Sequence, residues 1–218
     1  MAWMLALFRG VLSLVFTNSC VACGSRIEAS GFCRSCEDDL PVISTGCHRC
    51  GCPGVEDVAQ CPNCQDKHYA FDRLVVPWAF GDVVQQLLHG LKYEGRTFLA
   101  PVMGAAMARR VRGSGIVFAD MQVIPVPLHP SRLRERGYNQ SQLLASAIAR
   151  DLGLATSNAL KRVRPTTTQT ALGQEERTTN VEGAFSLRRP EYVLGAHVLL
   201  VDDVCTTSAS QKNDVSRH

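Results

Sequence analysis

Nine of the ten cysteines lie in two short segments, CVACGSRIEASGFCRSC at residues 20–36 and CHRCGCPGVEDVAQCPNC at residues 47–64. Eight of these nine form four CxxC pairs. A CxxC turn places two sulfurs on one side of a tight knuckle, and two knuckles complete the tetrahedral sulfur shell that zinc accepts. The cysteine spacing therefore predicts two structural zinc sites. The predicted ligands are Cys20, Cys23, Cys33, Cys36, Cys47, Cys50, Cys61 and Cys64.

The order of the pairs favours two successive zinc ribbons over an interleaved arrangement, although both pairings remain open from the sequence. Gly24 and Gly51 directly follow two of the knuckles, where a positive φ turns backbone amides toward the sulfurs. Cys52 is a ninth thiol in this region and is interpreted as a bystander, with replacement of Cys50 in a distorted site as the alternative. His48 lies inside a CxxC pair and is expected to point outward.

The first sixteen residues, MAWMLALFRGVLSLVF, are apolar but do not have the pattern of an export signal or a membrane anchor. Arg9 interrupts the run, no basic residue precedes it, and no small-residue cleavage site follows it. We therefore expect a short amphipathic helix that packs on the protein, no membrane span and a cytoplasmic location. In a reducing compartment, clustered thiols favour metal binding over disulfides. Redox-active CxxC chemistry is less consistent with four pairs in so short a segment.

The composition is that of an ordinary folded protein. The 218 residues are 45% hydrophobic and 20% charged, which excludes disordered and collagen-like classes. The net charge of +3 is too small by itself to indicate a nucleic-acid partner. Acidic residues exceed basic ones, seven to five, in residues 1–68, whereas basic residues predominate, eighteen to thirteen, in residues 69–218. The change in charge and the end of the CxxC pairs predict a zinc-ribbon domain over 1–68 and a second domain over 69–218.

Hydrophobic patterning of the second region indicates alternating strands and helices. Residues 71–80 are interpreted as an edge strand interrupted at Pro77, and residues 161–180 as a long polar loop or flap. Apolar stripes over 83–91 and 99–107 predict core helices, and a third helix is expected from Ser141 to Gly153, capped by Asn139 or Ser141. The two remaining predicted strands are 121–126, which leads into a basic loop, and the buried 196–201.

The last predicted strand leads directly into two acids and a run of hydroxyl and small residues. Carboxylates at a strand's carboxyl end can accept hydrogen bonds from ribose hydroxyls, and loop amides with hydroxyls can hold a phosphate. An acidic turn that caps a helix is the alternative structural interpretation. The segment therefore predicts a sugar-phosphate site. Its residues are Asp202, Asp203, Thr206, Thr207, Ser208, Ala209 and Ser210.

The segment LLVDDVCTTSAS resembles the phosphoribosyl pyrophosphate loop of type I phosphoribosyltransferases. The chain also contains the four CxxC pairs, LKYEG at 91–95, IPVPLHPSRLRERGYNQSQLL at 124–144, which includes RGYNQ at 136–140, and RPTTTQTALGQEERTTNVEGAF at 164–185. With these segments it resembles the ComF family over nearly its whole length. This resemblance implies an α/β protein in which a double zinc ribbon precedes a Rossmann-like phosphoribosyltransferase domain. It also implies a cytosolic role in DNA uptake, natural transformation or nucleotide metabolism, with competence or helicase proteins as partners.

The resemblance assigns roles to individual positions. Asp202 and Asp203 would hold the ribose hydroxyls, residues 206–210 the 5′-phosphate, and the segment Pro125–Pro127 the diphosphate. Arg132 and Arg136 are candidate contacts for diphosphate or nucleic-acid phosphates. Magnesium would enter with the diphosphate, bridged mainly by its oxygens and water. The loop departs from the usual TTGAT ending at Ser208 and Ser210.

Two functions remain open at this point, and a third, a zinc-stabilised adaptor for partner proteins, applies if neither of their ligands binds. The first is transfer of a phosphoribosyl group to an unidentified acceptor, although no residue stands out as a general base. The second is a non-catalytic protein that binds single-stranded DNA through its zinc ribbons and the basic stretch 129–177. That stretch has eight basic and four acidic residues but only Tyr138 as an aromatic. After Ser210 only QKNDVSRH remains, which cannot supply a core helix and strand, so we expect a domain truncated at its C-terminus.

Overall fold

The computed structural model describes residues 19–28, 31–55, 59–65, 69–165 and 183–205. The expected N-terminal helix, residues 66–68 at the predicted domain boundary, and the expected phosphate loop 206–210 lie outside these ranges. Most of the predicted flap also lies outside them. Within the described part of the chain, no helix combines the length and the apolar character needed to cross a membrane.

The fold is mixed α/β. The strands are β1 (Gln122–Pro125), β2 (Ala155–Thr156), β3 (Leu160–Arg162), β4 (Phe185–Leu187) and β5 (Val198–Val201). A three-stranded parallel sheet has the order β2-β1-β5, and a separate antiparallel pair joins β3 and β4. Single-turn helices are present at Pro62–Cys64 and Pro190–Tyr192. The helices are α1 (Arg34–Asp38), α2 (Asp82–Tyr93), α3 (Leu99–Arg112), α4 (Pro130–Arg136) and α5 (Gln140–Leu152).

The three helices expected from apolar stripes and capping residues form as α2, α3 and α5. At the start of α5, the Asn139 side chain accepts a hydrogen bond from the Ser141 amide. At its end, Gly153 adopts the left-handed conformation with φ of 71°. Both residues satisfy backbone groups that a helix terminus leaves without partners. These local signals therefore fix the ends of α5.

Helix α5 packs closely on α3 and the sheet. Gly104 of α3 permits this approach, because a Cβ atom built there would lie 2.4 Å from the Cβ of Ala147. Val123 of β1 is fully buried and joins the same hydrophobic core as Leu144 and Ile148 of α5. The sheet is thus anchored by its central strand, and this fixes the position of the strand's carboxyl end.

The N-terminal cysteine region contributes to the same core. Val21, between the first two cysteines, and Leu40 are both buried in the main hydrophobic cluster with Trp78. The predicted strand at 71–80 is wrong: these residues are irregular except for an isolated bridge between Trp78 and Val42. The chain there follows the zinc ribbon instead of joining the sheet, since the Ile43 amide donates to the Pro77 carbonyl at 2.9 Å.

Two further expectations for the second region require correction. The expected basic loop is the short helix α4, which begins with Pro130 and is capped by Gly137 at φ of 83°. The last strand, expected to be buried, is an edge strand of the described sheet. Leu200 of β5 is 56% exposed, whereas Val201 is buried. Because β5 pairs only with β1 among the described strands, its outer side chains are less covered than its apolar sequence suggested.

Candidate functional site

Eight cysteines form two separate clusters in the sequential arrangement. The sulfur atoms within each cluster all lie within 4.8 Å of one another. The turns that hold them are the expected knuckles, since the Gly24 amide donates to the Cys20 carbonyl and the Gly51 amide to the Cys47 carbonyl. Both glycines have a positive φ, as the sequence predicts. Cluster 1 is Cys20, Cys23, Cys33 and Cys36, and cluster 2 is Cys47, Cys50, Cys61 and Cys64.

The sulfur spacing fits a zinc ion. With Zn–S bonds of about 2.3 Å, four tetrahedral sulfurs lie about 3.8 Å apart. The Cys23 and Cys33 sulfurs of cluster 1 are 3.7 Å apart. In cluster 2 the separation is 3.6 Å between Cys50 and Cys61 and 3.8 Å between Cys61 and Cys64. Zinc at these positions would supply the cation that cross-links two knuckles.

At least one thiol in each cluster has a lowered pKa, which favours the charged form that binds a metal. Burial opposes ionisation of Cys20, but backbone amides of Cys23 and Cys33 donate to its sulfur and lower its pKa to about 6. Burial likewise opposes ionisation of Cys47, and amide hydrogen bonds lower its pKa to about 6. One of these donors is the Cys61 amide, 3.2 Å from the Cys47 sulfur. Because the thiolate is the metal ligand, the knuckle amides favour metal binding.

The remaining residues of the cysteine region lie outside both clusters. Cys52 is buried beside cluster 2, where its sulfur accepts from Asn63 Nδ2 at 3.7 Å, and it does not replace Cys50. His48 is half-buried and faces a small cavity, so the expectation that it points outward is wrong. The cause is a backbone contact. The His48 carbonyl accepts a hydrogen bond from the Leu74 amide, which holds this knuckle against the irregular segment 71–80.

The two acids predicted for the sugar-phosphate site follow the carboxyl end of β5. Val201 of β5 pairs in register with Pro125 of β1, and the Val126 amide donates to the Val201 carbonyl at 2.9 Å. The Pro125–Pro127 segment therefore begins at the strand end that leads into Asp202 and Asp203. Ligands of open parallel sheets bind at this edge.

Asp202 is held by two hydrogen bonds but has a perturbed pKa. Its Oδ1 accepts from Ser141 Oγ and from the Asp203 amide, both at 2.9 Å. The side chain is open to solvent, yet the protein around it displaces enough water to disfavour the carboxylate. This desolvation, followed by the charge of Asp203, raises the pKa of Asp202 to about 7. A carboxyl group that titrates near neutral pH at the carboxyl end of a parallel strand is characteristic of a functional site.

Asp203 is paired with a lysine from another part of the chain. Its carboxylate contacts the Lys92 ammonium, and the side chains of Asp203 and Lys92 are only 7% and 21% exposed. Lys92 is the penultimate residue of α2 and belongs to the LKYEG segment. The ion pair therefore joins this segment to the acidic strand end.

The RGYNQ segment meets LKYEG at the same place. Tyr138 donates its hydroxyl hydrogen to the Leu91 carbonyl at the end of α2. Arg136 hydrogen-bonds Gln140, and its guanidinium carbon lies 5.2 Å from the centroid of the Tyr93 ring. Three segments that are distant in sequence thus meet around the acidic pair.

Arg132, the second predicted phosphate contact, lies on the protein surface. Arg132 forms an ion pair with Glu135 at 2.8 Å on the exposed face of α4. The contacts described here for these two arginines are with Glu135, Gln140 and the Tyr93 ring. A cleft of about 370 Å³ lies elsewhere, at the amino end of β1, where Arg188, Arg189 and Tyr192 line it. It contains none of the predicted site residues.

Sequence reasoning missed three residues near the acidic pair. They are Lys92, Ser141 and the half-buried Arg162. Desolvation lowers the pKa of Arg162, and the negative charge of Asp202 offsets part of this effect. A signal existed for Lys92 and Ser141, because both lie in or beside segments that carried the family resemblance. Their contacts with the acids depend on tertiary packing and left no local pattern in the sequence.

Comparison with known proteins identifies the relatives of the chain. Residues 11–65 match the double zinc ribbon domain. DNA utilization protein YhgH of Salmonella typhimurium LT2 is 33% identical over 185 residues, which cover 83% of this chain and 80% of that protein. The chain belongs to the ComF family. Competence protein F of Haemophilus influenzae is 29% identical over 210 residues, which cover 93% of this chain and 90% of that protein.

Membership of the ComF family also settles the interpretation of the cysteines. The two four-cysteine clusters are the zinc-binding clusters of a double zinc ribbon, and their geometry fits that assignment. No solved structure matches the chain.

Proposed function

We propose that the carboxyl edge of the parallel sheet binds phosphoribosyl pyrophosphate, and that this ComF protein serves DNA utilization or competence, as the names of its relatives indicate. The observation that carries the proposal is the pair of acids at the end of β5 beside the Pro125–Pro127 segment. Asp202 and Asp203 present carboxylates to ribose hydroxyls, and the adjacent strand end begins the segment assigned to the diphosphate. Magnesium enters with the diphosphate and screens its charge.

The chemistry proposed for this site is phosphoribosyl transfer. The bond between the anomeric carbon and a diphosphate oxygen breaks, and diphosphate leaves with the bonding electron pair. The acceptor's nucleophilic atom forms the new bond to that carbon and loses its proton to solvent water. The protein's contribution is positioning and charge stabilisation, because hydroxyls and phosphates are held by groups already in place.

The decisive experiment is a calorimetric titration with phosphoribosyl pyrophosphate in the presence and absence of Mg²⁺. The double variant Asp202→Asn/Asp203→Asn should bind about 100-fold more weakly or worse, because two charge-assisted hydrogen bonds are lost. Asp120→Asn is the matched control, since Asp120 is exposed and distant in sequence from the site. The proposal fails if the zinc-loaded wild type does not bind, or if the double variant binds as tightly as the wild type.

A second function, binding of single-stranded DNA, is favoured by one specific contact. The basic stretch 129–177 lacks aromatic residues other than Tyr138, but the structure places Tyr93 against Arg136. Tyr93 is 64% exposed, and α4 beside it carries three arginines and no buried residue. An exposed ring next to arginines provides the stacking and backbone contacts that single strands use.

This second proposal is tested by fluorescence anisotropy with a labelled oligothymidylate at several salt concentrations. Tyr93→Ala should weaken binding by roughly five-fold to 100-fold, the range that loss of one base-stacking ring produces. Tyr192→Ala is the matched control, because Tyr192 also lies under an arginine, Arg189, but far from α4 in sequence. Equal effects of the two substitutions, or no salt-sensitive binding by the wild type, would reject this site.

A further inference from the structure

Lys92 is an unusual lysine because its side chain turns into the acidic site and away from solvent. Its ammonium contacts Asp203, and its side chain is 21% exposed. Tyr93 beside it is 64% exposed, and Lys161 is an exposed lysine of β3. A surface lysine normally keeps its charged end in water. The orientation of Lys92 therefore requires a cause in the packing around it.

That cause is the anchoring of the end of α2 from two sides. Leu91 is fully buried, and its carbonyl accepts the hydroxyl hydrogen of Tyr138. Just beyond the helix, Arg96 Nη2 donates to the Val21 carbonyl at 2.7 Å, which ties this segment to the first zinc knuckle. The zinc ribbon and the RGYNQ segment thus hold α2 so that Lys92 reaches Asp203.

The position of Lys92 also relates it to the diphosphate. Pro125 and Val201 are register partners on neighbouring strands. Neighbouring strands lie about 4.8 Å apart, so the start of the Pro125–Pro127 segment is within reach of a side chain that contacts Asp203. A lysine ammonium on a flexible four-carbon stem can exchange a carboxylate for a phosphate by rotation of its own bonds.

We propose that Lys92 is a diphosphate-binding residue that leaves Asp203 when the phosphoribosyl ligand binds; this rests on the proposed function. In the free protein, Lys92 neutralises Asp203 and keeps the site charge-balanced. Ribose hydroxyls then replace it on the carboxylate, and the diphosphate provides its new partner. The ammonium is paired before and after binding, but only a ligand with a diphosphate supplies the second partner.

The test compares two probes on the zinc-loaded full chain: phosphoribosyl pyrophosphate with Mg²⁺, and ribose 5-phosphate, which lacks the diphosphate. Lys92→Gln should weaken binding of the first probe by about tenfold or more, because a charge-assisted contact is lost. It should leave ribose 5-phosphate binding unchanged or tighter, because the competitor for Asp203 is removed. Lys92→Arg should restore most of the affinity for the diphosphate probe, and Lys161→Gln is the matched control.

The same idea can be tested on the wild type by reductive methylation of lysines followed by mass spectrometry. Saturating ribose 5-phosphate should increase labelling of Lys92, whereas phosphoribosyl pyrophosphate should not, because only the latter gives the ammonium a new partner. Because it uses the wild type, this measurement tests the inference even if the Lys92→Gln variant does not fold.

Each of the following outcomes would overturn the inference about Lys92, and the last would also reject the proposed function. Equal affinity of wild type and Lys92→Gln for phosphoribosyl pyrophosphate overturns the inference but leaves the proposed function intact. A parallel loss for both probes assigns Lys92 a structural role only and also overturns it. Equal labelling of Lys92 with the two ligands contradicts the exchange of partners. A wild type that binds neither probe rejects the proposed function and the inference with it.

Discussion

The cysteine clusters and the acidic strand end each bring negatively charged groups close together, thiolates in the clusters and carboxylates at the strand end. The two regions neutralise this charge by different means. Each cluster brings four sulfurs within 4.8 Å and offers no protein cation among its members. At the strand end, Asp203 pairs with Lys92, and Asp202 has a pKa raised to about 7 by desolvation and by its neighbour. The zinc ribbon therefore depends on a cation from outside, whereas the acidic site is balanced by a lysine and a proton.

The two clusters also differ from each other in what surrounds them. All four cysteines of cluster 2 are buried, and the hydrophobic side chains packed against them include Val55 and Tyr69, which are themselves only partly buried. Cluster 1 is more open, since Cys23 is exposed, but Val21 in its first knuckle belongs to the main hydrophobic core. The polypeptide around cluster 1 is thus anchored by ordinary packing, whereas that around cluster 2 is held mainly by its metal.

Complete removal of zinc should produce the largest effect. We expect the described backbone between Cys47 and Gln65 to lose its protection from hydrogen exchange, while α3, α5 and β1 keep theirs. Structural zinc contributes roughly 10–16 kcal/mol in small zinc modules, and the few apolar contacts around cluster 2 cannot replace that contribution. Hydrogen exchange measured by mass spectrometry, with zinc content determined in parallel, checks this result. Unchanged protection over 47–65 in metal-free protein would show that packing alone holds the ribbon.

A matched pair of substitutions should separate the two clusters. Cys36 and Cys64 are the last ligands of their clusters, so Cys36→Ser and Cys64→Ser remove equivalent sulfurs. We expect Cys64→Ser to lower the free energy of unfolding by about 4 kcal/mol or more, a loss typical of a missing metal site. Cys36→Ser should cost about half as much, because Val21 and Leu40 remain packed in the main core. Thermal unfolding, with zinc content determined in parallel, measures the loss of stability in both variants. Equal losses would contradict the predicted difference between the two clusters.

The sequence predicted those features whose cause is local. The spacing of the cysteines predicts the knuckles, and Asn139 and Gly153 predict the two ends of α5. Both predictions succeed because the interactions that form these features lie within a few residues of each other. The helix α4 was missed although its signals were present, with Pro130 in its first turn and Gly137 at its end. The basic charge of the segment is poor evidence for a loop, because charge does not oppose a short helix.

The contacts that build the acidic site were beyond prediction from the sequence. Ser141 and Asp202 are 61 positions apart, and their hydrogen bond exists because α5 packs on β1 beside β5. The Lys92–Asp203 pair likewise requires α2 to be placed by Tyr138. The acids themselves were recognisable from their position after an apolar strand, but the groups that set their charge come from elsewhere in the fold.

The protonation of Asp202 should appear as a pH dependence of stability. Its pKa is about 7 in the folded protein and about 3.9 in an unfolded chain, so between these values the folded state binds more protons. The free energy of unfolding therefore falls as the pH rises through this range and levels off above it. Because solvent reaches the carboxyl group, we expect Asp202→Asn to gain stability over the wild type by about 1 kcal/mol or less between pH 6 and pH 8. Denaturant unfolding at both pH values tests this, and parallel pH profiles would show that Asp202 does not titrate there.

The smallest effect should come from Ser141, which donates to Asp202 and so favours its charged form. Ser141→Ala removes this donor, and the pKa of Asp202 should rise further by about one unit or less, since a hydrogen bond of this kind contributes about 1 kcal/mol. Asp203→Asn should move the same pKa downward, because it removes the neighbouring negative charge. Carboxyl ¹³C NMR titration measures both shifts in the zinc-loaded protein. No shift in either variant would show that desolvation alone sets the pKa of Asp202, and that the groups around it do not balance the acidic site.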